Sequence, residues 1–191
     1  WLERVSLSLA GVLVCVGLAT LLGWWLHVDE LLQPFPRSPP LAPMKANSAL
    51  GFVVLGGVLL GVEFGRRRFA AFAFGPVLVG LITLFEDLTR RTLNIDEVLV
   101  RDHLLIGTAQ PGRMSGLVAT CLVLAGLALA WRALDRAAAA RLFAEAVAGS
   151  VLAAAGFSTL LGYIAELPTV YNWGSATATP PVSALCLLAL G

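Results

Sequence analysis

Met44-Lys-Ala-Asn-Ser-Ala-Leu-Gly-Phe-Val-Val-Leu-Gly-Gly57 is a polar helix start that turns directly into an apolar helix. The pattern recurs in weaker form at Met114-Ser-Gly-Leu-Val-Ala-Thr-Cys-Leu-Val-Leu-Ala-Gly126 and at Thr179-Pro-Pro-Val-Ser-Ala-Leu-Cys-Leu-Leu-Ala-Leu-Gly191. Aligned, Ala49, Ala119 and Ala184 fall in register, and Gly56, Gly126 and Gly191 follow seven residues later. A second stretch lies upstream of each copy: Gly17-Leu-Ala-Thr-Leu-Leu, Gly80-Leu-Ile-Thr-Leu-Phe and Gly156-Phe-Ser-Thr-Leu-Leu. Each unit reads as an apolar helix, an irregular loop and a second apolar helix. One such hairpin cannot bury its own faces, so copies are expected to pack together. The expected fold is all-α, a single transmembrane domain over residues 1–191 of about six helices in three hairpins, with units near 1–65, 66–136 and 137–191.

Composition places the chain in a membrane. Mean hydropathy is +0.85, and 58% apolar with 13% charged residues is far from the roughly 25% charged residues of a soluble domain. A net charge of +1, with no basic stretch interleaved with aromatics, gives no footprint for nucleic acid. Cys15, Cys121 and Cys186 lie within apolar runs without ligand spacing, so they read as small buried hydrophobes rather than as a disulfide or metal set. No nucleophile elbow, phosphate loop or zincin pattern is present, so no catalytic residue, metal or cofactor is assigned.

Charge-free runs set the spans at Val5–Leu26, Ala46–Val62, Phe69–Phe85, Met114–Trp131 and Ala146–Ala165, with a sixth from about Pro181. The stretch from Val182 to Gly191 covers about 15 Å as helix against a hydrocarbon core of about 30 Å. Together with a start at Trp1, this leads to the expectation that the last helix continues into further polypeptide; the alternative is a short half-span packed against a partner. Basic residues divide almost evenly, with Arg4, Arg66, Arg67, Arg68, Arg132, Arg136 and Arg141 on one side. Arg37, Lys45, Arg90, Arg91, Arg101 and Arg113 fall on the other. The short linkers carry the denser charge, which places them and the N-terminus in the cytoplasm of a cell inner membrane. Three longer loops then face outward. The first is stiffened by Pro34, Pro36, Pro39, Pro40 and Pro43; Leu93–Val100 in the second is spaced for a short helix along the membrane face; the third holds Pro168, Tyr171, Trp173 and Gly174. Trp24, Trp25, Tyr163, Tyr171 and Trp173 gather at this side, as interfacial aromatics do.

Candidate site residues lie on the same side. Thr20, Thr83 and Thr159 occupy one position of the three units; either they converge on a pocket or each bonds a carbonyl one turn back. Glu86 and Asp87 are ionisable groups at membrane depth, for which Arg90 and Arg91 at i,i+4 offer pairs. Asn47, His27, Lys45, His103 and Glu166 add polar groups. The ligand-binding set drawn from these is Asn47, Thr20, Thr83, Thr159, Trp24, Glu86 and Tyr163. Gly57, Gly61 and Gly65 form a small-xxx-small stripe suited to close helix contact.

The Met44-Lys-Ala-Asn-Ser-Ala-Leu-Gly-Phe stretch with Gly56 resembles the M-K-x-N-T-A-L-x-F-L-L-x-G motif of a polytopic N-terminal membrane region of bacterial sensor histidine kinases and diguanylate cyclases. Leu93-Asn-Ile-Asp-Glu-Val-Leu-Val100 is similar to its G-I-D-x-L-L-F loop, and Pro111-Gly-Arg-Met-Ser115 to its P-G-R-M-S-P-N-T-A. Leu161-Gly-Tyr-Ile-Ala-Glu-Leu-Pro-Thr-Val-Tyr171 resembles L-G-Y-L-x-G-x-P-x-L-Y, followed by Thr177 and Ser183-Ala-Leu185. The resemblance runs in order along nearly the whole chain. It implies a non-catalytic signal-input domain ahead of PAS and kinase or cyclase domains. This chain departs from the family where Leu117 and Val182 replace a polar residue and Thr179 replaces Met; only Asn47 keeps the polar side chain. The alternative is an accessory subunit of a larger membrane complex. The expected partners are the lipid bilayer and either a second copy, as a homodimer, or that larger complex.

Overall fold

The computed structural model describes residues 2–35, 40–108, 110–132, 138–172 and 177–191. Pro36, Arg37, Pro39, Arg136, Trp173 and Gly174, named above, lie outside the described residues. The described chain is helical, with one isolated bridge between Thr108 and Thr177. Its elements are α1 (Leu2–Leu26), α2 (Asp29–Leu32), α3 (Ala46–Glu63), a 3-10 helix (Arg67–Ala73) that runs into α4 (Phe74–Thr89), α5 (Gly116–Trp131), α6 (Ala138–Ile164), α7 (Pro168–Asn172) and α8 (Pro181–Leu190).

Four helical stretches, Arg4–Leu26, Ala46–Glu63, Arg67–Thr89 and Ala139–Ile164, are long and apolar enough to cross a membrane. Gly116–Trp131 and Pro181–Leu190 are apolar but shorter. α1 and α6 turn large apolar side chains such as Val12, Leu22, Val151 and Phe157 outward, the surface a lipid solvent would cover. The core lies between the helices. It is built from Leu13, Phe52, Leu55, Val118, Leu122, Leu152 and Leu187, all buried.

The closest packing joins α1 to α3, α4 to α5 and α6 to α8. A Cβ added to Gly17 would stand 2.8 Å from the Ala49 carbonyl oxygen, one on Gly80 2.7 Å from that of Ala119, and one on Gly156 2.5 Å from that of Ala184. The contacts reverse further along each pair. Gly56 meets the Ala10 carbonyl at 2.9 Å, Gly126 meets that of Ala73 at 2.8 Å, and Gly191 meets that of Gly149. Side chains are excluded at these crossings, so backbones touch. Apolar helices gain little from hydrophobic burial against one another in lipid, and such close van der Waals contact takes its place.

Helix boundaries follow the same register. α3, α5 and α8 begin after Lys45, Ser115 and Pro180, each extended, with ψ of 152°, 146° and 148°. α1, α4 and α6 are each followed by a left-handed residue: His27 (φ 56°), Arg90 (φ 54°) and Glu166 (φ 55°). After α1 and α6 the turn closes by Val28 N–H to the Gly23 carbonyl (2.9 Å) and Leu167 N–H to that of Gly162 (2.8 Å), the bond that satisfies the last exposed carbonyls of a helix.

Three expectations change. Leu93–Val100 forms irregular turns instead of a helix, with Asn94 left-handed and Asp96 and Glu97 drawn into side-chain bonds. α6 starts at Ala138, well before Ala146, because Glu145 is held by both Arg132 and Arg141 and its turn need not leave the helix. Cys15 is exposed, while Cys121 and Cys186 are buried as expected. Along the glycine stripe on α3, Gly61 packs on Phe69 of the 3-10 helix, Gly57 meets nothing, and Gly65 lies past the helix end with φ +75°.

Gly17→Leu, Gly80→Leu and Gly156→Leu are each expected to destabilise the fold by at least the roughly 1–3 kcal/mol of overpacking. Gly11→Ala, where an added Cβ meets nothing, is expected to leave the thermal midpoint in detergent unchanged or slightly raised.

Candidate functional site

The loop-bearing face is built by pinning the start of each second helix to its partner. The Trp24 indole N–H donates to the Met44 carbonyl at 2.8 Å, and the Tyr163 hydroxyl donates to the Thr179 carbonyl at 2.9 Å. Trp24 follows Gly17 by seven residues as Tyr163 follows Gly156, and Met44 precedes Ala49 by five as Thr179 precedes Ala184. In the middle unit that place belongs to Asp87, which accepts from the Arg113 guanidinium at 3.4 Å. Trp24 is therefore interior, 2% exposed, and not an interfacial ring; Trp25 beside it turns outward. Tyr163 also stacks on Tyr171, ring centres 4.1 Å apart.

One residue further up in each first helix, Gly23 and Gly162 admit the short helices α2 and α7, through Leu32 and Val170. Glu86 stands at the corresponding position of the middle unit, fully buried. Its Oε1 accepts the Leu93 N–H at 2.5 Å and lies 3.4 Å from Arg113 Nη2. A carboxylate here does with hydrogen bonds what a glycine does by making room. The expected Glu86–Arg90 and Asp87–Arg91 pairs do not form. Left-handed Arg90 ends the helix at Thr89, so neither arginine sits one turn along from its acid, and both are exposed. Arg113 serves both acids instead, and also Asp96, at 3.0 Å.

A second buried pair locks the loops. Lys45 Nζ lies 2.5 Å from Asp102 Oδ2, with 2% and 1% of the two side chains exposed. Asp102 also accepts the amides of Leu104, Leu105 and Gly112. Burial pushes the Asp102 carboxyl up, but these donors and the lysine outweigh it and hold it below the ordinary carboxylate value. Asp96 goes the other way: burial raises it by more than its bond to Arg113 restores. Around these pairs, His103 lies 3.2 Å from Asp29 and packs its ring on Trp24 and His27.

A cavity of about 710 Å³ lies along α3, and it is not sealed, since Phe72 and Val98 in its lining are exposed. Asn47, Leu50, Val54 and Gly57 of α3 form one wall, Phe69, Phe72 and Pro76 another, with Leu122 of α5 behind; Ile95, Val98 and Leu99 overhang it. Asn47 Nδ2 donates to the Asp96 carbonyl at 3.2 Å, and no other hydrogen bond is made by its amide among the described residues. The chamber is apolar with a single carboxamide at its loop-side end.

Of the expected site residues, Asn47 alone lines this cavity. Tyr163 lines a separate cavity of about 620 Å³ with Tyr171, Pro168 and Ile106. Thr20, Thr83 and Thr159 are buried but not bonded to one another. Thr20 donates to the Val16 carbonyl one turn back at 3.0 Å, and the hydroxyls of Thr83 and Thr159 have no partner among the described residues. Trp24 and Glu86 organise the face without reaching either chamber. Arg113, Asp96 and Asp102 were not singled out by sequence, although charged residues close to apolar spans were the available signal. Among the described residues no three His, Cys, Asp or Glu side chains are grouped to hold a metal ion. Comparisons with family models, with curated proteins and with solved structures find no match to this chain.

Asp102→Ala is expected to destabilise the fold by about 3–5 kcal/mol by leaving Lys45 buried and unpaired, with Lys45→Met/Asp102→Leu recovering most of the loss. The pH dependence has a definite sign. With its folded value below the unfolded value of about 3.9, Asp102 contributes its full stability above roughly pH 4 and loses it as pH falls through the folded value. Asp102→Asn should accordingly flatten the acid limb of a plot of thermal midpoint against pH; an unchanged acid limb would exclude this role.

Proposed function

We propose that the chain is a membrane-embedded signal-input module, a triplicated helical hairpin whose six apolar helices α1, α3, α4, α5, α6 and α8 cross the cell inner membrane. The N-terminus and the arginine-rich linkers lie in the cytoplasm, and α8 carries displacement to an output domain of the kinase or cyclase type that the family resemblance implies. The observation that carries the reading is the seat of α8. It packs on α6 and also touches α1, α3 and α5, and its start is tied to that of α5 by Thr179 Oγ1 donating to Ser115 Oγ at 2.9 Å. A ligand that binds one arrangement of this bundle better than another would shift α8 by that difference in affinity.

Triplication is supported by the matched glycine–carbonyl crossings, by the common starts after Lys45, Ser115 and Pro180, and by the left-handed ends at His27, Arg90 and Glu166. The short span of α5, about 24 Å for its length, is supported by its enclosed position: Val118, Ala119, Cys121, Leu122 and Leu129 are buried among neighbours. Its far end meets Arg132, whose guanidinium donates two bonds of 2.8 Å to Glu145.

The complete open reading frame tests the input role. Continuation of the α8 helix past Gly191 into a kinase or cyclase domain is the expected result. A stop codon within a few residues of Gly191, with firm co-purification of other membrane subunits, would overturn it in favour of an accessory subunit.

A further inference from the structure

We infer that the apolar cavity beside α3 is a binding site for a neutral, single-tailed amphiphile drawn from the lipid phase, its oxygen-bearing head on the Asn47 carboxamide and its tail laid along α3. This deepens the input role by naming the ligand class. It is tested in the isolated chain without any output, so the two fail separately.

The shape points to a tail. From Asn47 to Val58 the lining runs along α3 for about 16 Å at 1.5 Å per residue, and a chamber of about 710 Å³ is in the size range of small-molecule sites. Room along that length comes from absent side chains: a Cβ on Gly57 or on Gly75 across the slot would meet nothing within 4 Å. Only apolar groups line the slot below Asn47.

Chemistry points to the head. Asn47 is 6% exposed, and one N–H is committed to the Asp96 carbonyl. Its Oδ1 and second N–H remain as one acceptor and one donor at the loop-side end of the slot. Asn47 lines the slot, where a carbonyl or hydroxyl head would supply hydrogen-bond partners that lipid tails cannot. A charged head does not fit. No charged side chain lines the cavity, and the nearby Arg113 and Lys45 are already held by Glu86, Asp87, Asp96 and Asp102. The aligned residues Leu117 and Val182 have no carboxamide, so only the first unit offers this end group.

The purified chain in lipid nanodiscs would be photolabelled with a monoacylglycerol and with a short-chain prenylated quinone, each carrying a diazirine in its tail. Expected is saturable labelling of Val54–Val58 and Phe69–Pro76, competed by the unlabelled compound. Whichever probe labels more tightly identifies the source, bilayer acyl lipid or quinone pool. Asn47→Leu should weaken competition about tenfold, as loss of one hydrogen bond would, and Gly57→Leu or Gly75→Leu should abolish the saturable labelling while the thermal midpoint is kept. Labelling spread over the outward faces of α1 and α6 and indifferent to either glycine variant would overturn the site. Equal competition by a lysophosphatidylglycerol would overturn the neutral head.

Discussion

Backbone against backbone at three glycines is the contact from which the remaining structure follows. Gly17, Gly80 and Gly156 each bring a helix onto the carbonyl of an alanine in the next apolar helix, at Ala49, Ala119 and Ala184. With the axes so close, the reciprocal glycines seven residues on are required as well, because any side chain there would meet the partner's carbonyl. The crossings also fix where the loop-side ends of each pair lie. Trp24 and Tyr163 can then reach the carbonyls of Met44 and Thr179, the residues just ahead of α3 and α8.

The middle pair obeys the same geometry with different chemistry. Where the outer pairs use Gly23 and Gly162 to seat a short helix, it uses Glu86; where they use an aromatic donor, it uses Asp87. Both acids depend on Arg113, which also holds Asp96. Three acidic side chains share one guanidinium; for Asp96, burial raises the carboxyl most, and the neighbouring Glu86 and Asp87 add to that. Lys45 and Asp102 form a second buried pair, which ties the start of α3 to the loop ahead of α5. The result is a face of paired charges beside a cavity whose one polar side chain, Asn47, has a single hydrogen bond, to the Asp96 carbonyl.

Much of this was legible in the residues. Apolar runs located the helices, because these depend on local composition; the Ala and Gly registers were visible as repetition, while close helix contact was expected at Gly57, Gly61 and Gly65 rather than at Gly17, Gly80 and Gly156. The chemistry of the loop face was less so. Arg90 and Arg91 stood at helical spacing from Glu86 and Asp87, but the chain leaves the helix at Arg90, a left-handed position held without glycine and therefore without a signal. Leu93–Val100 carried helical spacing, yet Asp96 bonds Arg113 seventeen residues on and Glu97 turns to the Asp102 amide, five residues on. The roles of Arg113 and Asp102 depend on loops folding back over the helix ends, and spacing does not encode such long-range closure. Asn47 was visible as the polar survivor of its register, although the chamber beside it arises only once α3, α4 and α5 are packed.

Alternate crossing of a bilayer by these helices is tested directly by cysteine accessibility in intact cells. In a background lacking Cys15, Cys121 and Cys186, Val98→Cys and Leu167→Cys would be probed with a membrane-impermeant maleimide, alongside Phe64→Cys and Phe143→Cys; all four positions are at least half exposed. The arrangement proposed here predicts that positions 98 and 167 react from outside and that positions 64 and 143 react only after the membrane is opened. Reaction of positions 64 and 98 from the same side would contradict it.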